Sequence, residues 1–134
     1  AHVARLLAQP GIEYVGEIGD ADKGAFLGGA VGLLFPVDWP EPFGLVMIEA
    51  MACGTPVVAY RRGSVPEVID EGVTGFVVDD VDDAVRAVGR LETLDRRTCR
   101  AVFERRFSAE RMAREYLDVY ASLTDRPART TLAA

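Results

Sequence analysis

One histidine, two cysteines and one tryptophan in 134 residues leave several chemistries without material. His2 lies beside the N-terminus and is read as chemically idle. Cys53 and Cys99 lack any metal-ligand spacing, so no metal site is expected. Both are read as free thiols of a reducing compartment. No apolar run reaches the roughly 20 residues that span a bilayer. No basic region precedes a long apolar stretch, so no signal peptide is recognised. Together these point to a cytoplasmic protein, with the inner membrane face as a second address. Basic residues are outnumbered, and the net charge of −6 argues against a nucleic-acid partner. The imbalance is local: up to Tyr60 there are seven acidic residues and two basic ones. Phosphates bound in that half would rely on helix dipoles and on cations from elsewhere.

What the chain does have is apolar content. At 49% hydrophobic it is rich enough, and at 134 residues long enough, for one domain with a real core. Its organising stretch is PEPFGLVMIEAMACGTP, Pro40 to Pro56. A Pro-Glu-Pro loop opens it, and Gly44 allows a tight turn. Leu45 to Cys53 carry Leu45, Val46, Ile48, Met51 and Ala52 near helical spacing. Gly54 and Pro56 end the helix. Glu41 therefore stands on a loop that runs into a helix N-terminus, and Glu49 is expected about two turns in.

A helix N-terminus has free N–H groups and partial positive charge, which favour phosphate. The donors here would come from around Phe43, Gly44 and Leu45. Two carboxylates beside a bare phosphate would repel it. They make sense as acceptors from hydroxyls flanking the phosphate. The eight-residue separation of Glu41 and Glu49 is roughly 12 Å if all were helical. A nucleotide sugar, with ribose, diphosphate and hexose in line, suits that layout.

Along the chain, His2 to Ala8 reads as a short helix end. Ile12 to Val15 reads as a strand. A helix capped by Asp20 or Asp22 runs to about Leu27. Val31 to Phe35 reads as a buried parallel strand, near-continuously apolar. Pro56 to Tyr60 is another strand. Ser64 and Glu67 form a Ser-x-x-Glu capping box on a short helix ending at Gly72. Gly75 to Val78 is a strand. Amphipathic helices follow at about Asp82–Leu94 and Arg96–Arg105. A last helix, capped by Ser108, carries Met112, Tyr116, Val119, Tyr120 and Leu123 on one face. Alternating strands and helices give an α/β fold, with a parallel sheet and helices on both faces. Ligands in such folds bind at the carboxyl ends of strands, where the Glu41 loop begins.

The segment EPFGLVMIE, Glu41 to Glu49, resembles the E-x7-E motif of retaining GT-B glycosyltransferases. AMACGTPVVA, GSVPEVI and GVTGFVV, in this order, are similar to the same large family. It includes glycogen synthase, sucrose synthase and bacterial mannosyltransferases. The resemblance covers about Ile12 to Leu123. It implies a Rossmann-like C-terminal half of a GT-B fold, over residues 1–123, incomplete at its N-terminal side, with 124–134 as a disordered tail. It implies transfer of a hexose from a UDP-, GDP- or ADP-linked sugar with retained configuration. No cofactor or metal is implied. The acceptor, a glycan, lipid or small molecule, would be bound by a further N-terminal domain. The family's diphosphate-binding Arg and Lys have no counterpart in Ala1 to Gly11. The chain is accordingly expected to be a fragment, inactive alone, with an open sheet edge that allows self-association.

By the same resemblance Glu41 is the catalytic-centre residue facing the donor hexose, and Glu49 holds the ribose hydroxyls. The main-chain N–H groups of Phe43, Gly44 and Leu45 touch phosphate or sugar. Each has a plainer reading beside it. Glu41 and Glu49 taken alone are solvated carboxylates. Leu45 is equally a core residue. Gly16 either lets the backbone approach the nucleobase or is a turn glycine. Asp38 and Trp39 line the acceptor cleft or merely fill a loop. Arg96, Arg97, Arg100, Arg105 and Arg106 are read as a solvated helix face. The competing functional class is a non-catalytic nucleotide-sugar-binding or interaction module.

Overall fold

The computed structural model describes residues 2–124. In chain order the elements are α1 (His2–Leu7), α2 (Asp20–Gly29), β1 (Leu33–Phe35), α3 (Leu45–Ala52), β2 (Val57–Tyr60), α4 (Val65–Val68), β3 (Gly75–Val78), α5 (Val81–Val88), a 3-10 turn (Leu91–Thr93), α6 (Arg96–Arg106) and α7 (Ala109–Thr124). The three strands form one parallel sheet in the order β1-β2-β3. Leu33 is in register with Val57, and Val57 with Gly75.

Successive side chains of a strand point to opposite faces, and here both faces are covered. Val57 and Ala59 meet Met47, Ala50 and Met51 of α3, with Val65, Val68, Cys99 and Val102 around them. On the opposite face Val58, Phe76 and Val78 pack with Ala87 of α5 and with Leu91. Met47 and Met51 are wholly buried, worth about 1.5–3 kcal/mol each in transfer terms. They fix α3 on the sheet, so its N-terminus lies beside the end of β1.

Glycine and arginine set the ends of these helices. Gly54, at φ +68°, stops α3, and a Cβ there would meet the Arg96 carbonyl oxygen at 2.8 Å. The end of α2 is tied down by long-range donors. Thr55 Oγ1 donates to the Leu27 carbonyl at 2.7 Å, and Arg96 donates to those of Ala30 and Gly28 at 2.6 and 2.7 Å. These bonds satisfy carbonyls that the helix itself leaves open. Arg100 likewise reaches the Ala52 carbonyl, and Arg106 those of Val68 and Glu67. So Arg96, Arg100 and Arg106 are cross-links between elements, not part of a freely solvated face.

Several expectations are corrected. Ile12–Val15 is not a strand: no ladder partner lies beside it, and Ile12, Tyr14 and Val15 are exposed. β1 is shorter than Val31–Phe35, and Leu34 is 57% exposed because no described helix covers that part of its face. The cap of α2 is Gly19, with Asp20 and Asp22 in the first turn. There they favour the positive helix end without hydrogen-bonding to it. The expected helix over Asp82–Leu94 is divided, with α5 ending at Val88 and capped by Gly89 before the 3-10 turn. Ser64 forms no capping box, and α4 ends at Val68 rather than Gly72. Thr124, expected to start a tail, closes α7. The rest of that segment, 125–134, lies outside the described residues. Ser108 Oγ accepts from the Arg111 N–H at 3.2 Å at the start of α7. That helix buries none of its apolar stripe. Among the described residues no helix is long and apolar enough to cross a membrane.

Candidate functional site

The site is the loop between β1 and α3. Gly44 sits at φ +74° just before α3, and a Cβ there would meet Met47 Cε at 2.7 Å. The left-handed turn requires glycine, while the Met47 methyl at the tip of a flexible side chain could shift. Glu41 folds back over this turn. Its Oε1 accepts from the Gly44 N–H at 3.2 Å and its Oε2 from the Trp39 indole at 3.1 Å. Each oxygen keeps accepting capacity for a ligand hydroxyl. Of the main-chain donors expected at this tip, the Gly44 N–H is therefore engaged. Those of Phe43, Leu45 and Val46 find no acceptor among the described residues. Such open N–H groups at a helix start attract anions.

The loop is held from the far side by the β2–α4 connection. The Ser64 N–H donates to the Glu41 carbonyl at 2.9 Å, and Ser64 Oγ to the Phe43 carbonyl at 2.8 Å. Gly63 lies so close that a Cβ would stand 2.2 Å from the Glu41 carbonyl oxygen and 2.5 Å from its nitrogen. Asp38, earlier in the same loop, pairs with Arg62 at 2.9 Å. Neither Gly63 nor Ser64 was singled out for the site by sequence pattern. The Ser-x-x-Glu spacing pointed to a local cap instead. Ser64 adopts a helical backbone, φ −73° and ψ −12°, and its hydroxyl is spent on Phe43.

Glu49 is the fifth residue of α3, little more than one turn in rather than two. Its Oε1 accepts from Lys23 Nζ at 2.9 Å, and Lys23 also pairs with Asp20 at 3.1 Å. The hydrogen bond to Glu49 first, then that to Asp20, raises the Lys23 pKa above the usual 10.5. Lys23 escaped the sequence reading, although a signal was present: it is the single lysine among fifteen basic residues.

The structure thus brings Glu41, Phe43 and Gly44 onto one loop and runs it into Leu45 and Glu49 of α3. Leu45 is 65% exposed, which removes the alternative of a core residue. Gly16 lies on the unpaired segment at φ +73° with nothing within 4 Å of a would-be Cβ. Its conformation explains the glycine. Glu41 lines an open cleft of about 530 Å³ with Phe43, Ser64, Arg106 and Phe107, and Glu49 is not among its lining. Arg106 is committed there, to Asp70 at 2.5 Å and to the Phe107 ring. Among the described residues no three His, Cys, Asp or Glu side chains gather as a metal site would require. Cys99 is buried, and desolvation pushes its thiol up to about 11.

A protein-family model described as "Glycosyl transferases group 1" matches residues 1–107. The D-inositol 3-phosphate glycosyltransferase of Saccharomonospora viridis is 43% identical over 89 residues, 60% of this chain and 20% of that protein. The N-acetyl-alpha-D-glucosaminyl L-malate synthase of Bacillus anthracis is 34% identical over 112 residues, 77% of this chain and 29% of that protein. Among solved structures, Anabaena Alr3699/HepE in complex with UDP and glucose superposes with a TM-score of 0.75 at 23% identity. That match covers 90% of this chain and 34% of the other. The chain spans between a fifth and about a third of the length of these proteins.

Proposed function

Because the chain belongs to the group 1 glycosyl transferases, a GT-B family with a Rossmann-like parallel sheet, we propose that it is a donor-binding domain for a nucleoside-diphosphate sugar. One observation carries the reading. Carboxylates Glu41 and Glu49 stand before and within the first turns of a helix whose leading N–H groups are open. In this reading Glu49 accepts from the ribose hydroxyls and Glu41 from the hexose. The diphosphate lies on the N–H groups of Phe43 and Leu45, and that of Gly44 moves from Glu41 to the ligand. Gly16 borders the base. As the hexose leaves, fixed dipoles at the α3 tip stabilise charge growing on the diphosphate. The bond from the sugar's anomeric carbon to phosphate breaks, the bond to the acceptor oxygen forms on the same face, and the acceptor hydroxyl's proton passes to the departing diphosphate oxygen. No side chain of this chain serves as nucleophile, and no metal is held.

Relatives titled as glycosyltransferases and a fold neighbour solved with UDP and glucose support the donor class. Titration calorimetry with UDP-, GDP- and ADP-linked hexoses tests the proposal. At least one binds saturably. Glu49→Ala weakens both that donor and its bare diphosphate by about tenfold or more, the worth of a charge-assisted hydrogen bond. Glu41→Ala weakens the sugar nucleotide more than the diphosphate. Unchanged affinity in both variants rejects the assignment. The open edge of β1, with Leu34 exposed, supports a second reading in which this edge pairs with a copy of the chain. A monomer by light scattering at high concentration removes it.

A further inference from the structure

We propose that Lys23 is a positioning residue of the donor site, holding the Glu49 carboxylate so that one oxygen faces the ligand. The inference rests on the reading of Glu49 as the ribose acceptor. Its ground is a contact that crosses 26 residues of sequence, from α2 to α3. Lys23 Nζ sits between two carboxylates, 2.9 Å from Glu49 Oε1 and 3.1 Å from Asp20 Oδ1. Glu49 Oε2 has no partner among the described residues. The Lys23 and Glu49 side chains are 35% and 36% exposed, so the pair is within reach of a ligand.

The residue type matters. Fourteen arginines and one lysine make up the basic residues of the chain, and the lysine is the one at this position. An ammonium is a compact donor that can occupy one carboxylate oxygen and leave the other open. A guanidinium prefers to take both oxygens with parallel N–H bonds. It would engage both oxygens and hold the carboxylate in its own plane, leaving a hydroxyl one shared lone pair per oxygen rather than a free oxygen. An ammonium also offsets negative charge where a diphosphate must approach. The hydrogen bonds that keep Lys23 charged preserve this over the whole working pH range.

A structural brace is the competing explanation, and the fold argues against it. The far end of α2 is already fixed by Thr55 and Arg96. Leu27 is buried against the core. Exposed ion pairs contribute little to stability. Lys23 is therefore dispensable for folding and needed for orientation.

The test uses the 134-residue chain with UDP, GDP and ADP as probes. Affinity is followed by calorimetry and melting by circular dichroism. In Lys23→Met the affinity for the best-bound diphosphate falls at least about tenfold, and in Lys23→Arg it stays low. Both variants melt within about 2 °C of the parent. Reductive methylation with carbon-13 marks Lys23 and the N-terminal amine alone. The Lys23 resonance moves when nucleotide is added, and also in Glu49→Gln without nucleotide. Equal affinity in all three proteins overturns the positioning role and leaves the donor reading standing. Full affinity in Lys23→Arg shows that charge suffices and overturns the orientation argument. Loss of affinity in step with a lower melting temperature assigns Lys23 to the fold and overturns the proposal. No saturable binding by the parent chain overturns the donor reading, and this inference with it.

Discussion

Gly63→Ala is the sharpest perturbation of the Glu41 loop, because the contact it breaks is backbone on backbone. The added Cβ would stand 2.2 Å from the Glu41 carbonyl oxygen, 2.5 Å from its nitrogen and 2.9 Å from its carbonyl carbon. No rotamer relieves it. Ordinary carbon–oxygen contacts lie near 3.3 Å, so the two segments must part by about 1 Å. That movement stretches the Ser64 N–H bond to the Glu41 carbonyl, now 2.9 Å. Its loss costs about 1 kcal/mol. The backbone at Gly63, φ +49°, adds about 1–2 kcal/mol for any residue with a Cβ. The expected loss is about 2–3 kcal/mol. Gly72→Ala supplies the control, since Gly72 has φ +72° and open space around its would-be Cβ. It carries the conformational cost alone, about 1–2 kcal/mol. Urea unfolding of the two variants therefore separates clash from strain by about 1 kcal/mol. The chain's single tryptophan, Trp39, donates to Glu41 and reports the loop directly through its emission. A Gly63→Ala protein as stable as Gly72→Ala, with parental Trp39 emission, would refute the claim that this backbone contact holds Glu41.

Three further outcomes follow from groups elsewhere in the fold. Arg96→Met removes three hydrogen bonds, to the Ala30 and Gly28 carbonyls and to Thr55 Oγ1. It should cost about 2–3 kcal/mol in urea unfolding, and Arg96→Lys should recover less than half, because one ammonium cannot serve a fork of acceptors. Burial raises the Cys99 thiol to about 11 from 9.0, so an aromatic disulfide reagent at pH 8 should titrate one thiol, Cys53, until urea is added. Native Cys99 holds its proton where the unfolded chain has released it. Stability should thus fall as pH rises from about 9 to about 11, a loss that Cys99→Ala reduces.

Elements whose signals are local were readable in the sequence. β3 has the bounds that its apolar run and flanking Asp79 gave it. α3 begins after Gly44 and ends before Gly54, both with positive φ. α6 differs from expectation by one residue. Elements whose form depends on a distant neighbour were not. Ile12–Val15 has a strand's composition, yet a strand exists only beside another, and none lies there. Val31–Phe35 was read as buried on apolarity alone, but Leu34 is left exposed by the described residues. The arginines of α6 have a solvated face's spacing. Their targets are carbonyls up to 68 residues away, and no periodicity reports that.

The candidate site divides along the same line. Spacing within Glu41–Glu49 sets where the two carboxylates fall on the chain, and that much the motif carries. It does not set where they point. Glu41 is aimed by Trp39, Gly44 and the Gly63–Ser64 turn, and Glu49 by Lys23 from α2. Each carboxylate is thus oriented from a different part of the chain. A short motif that needs outside supports on both sides can be copied whole into another chain and bind nothing. The corollary is specific. If the proposed donor reading holds, substitutions at Gly63 and at Lys23 damage opposite ends of the same ligand, hexose and ribose respectively, although neither residue belongs to the motif.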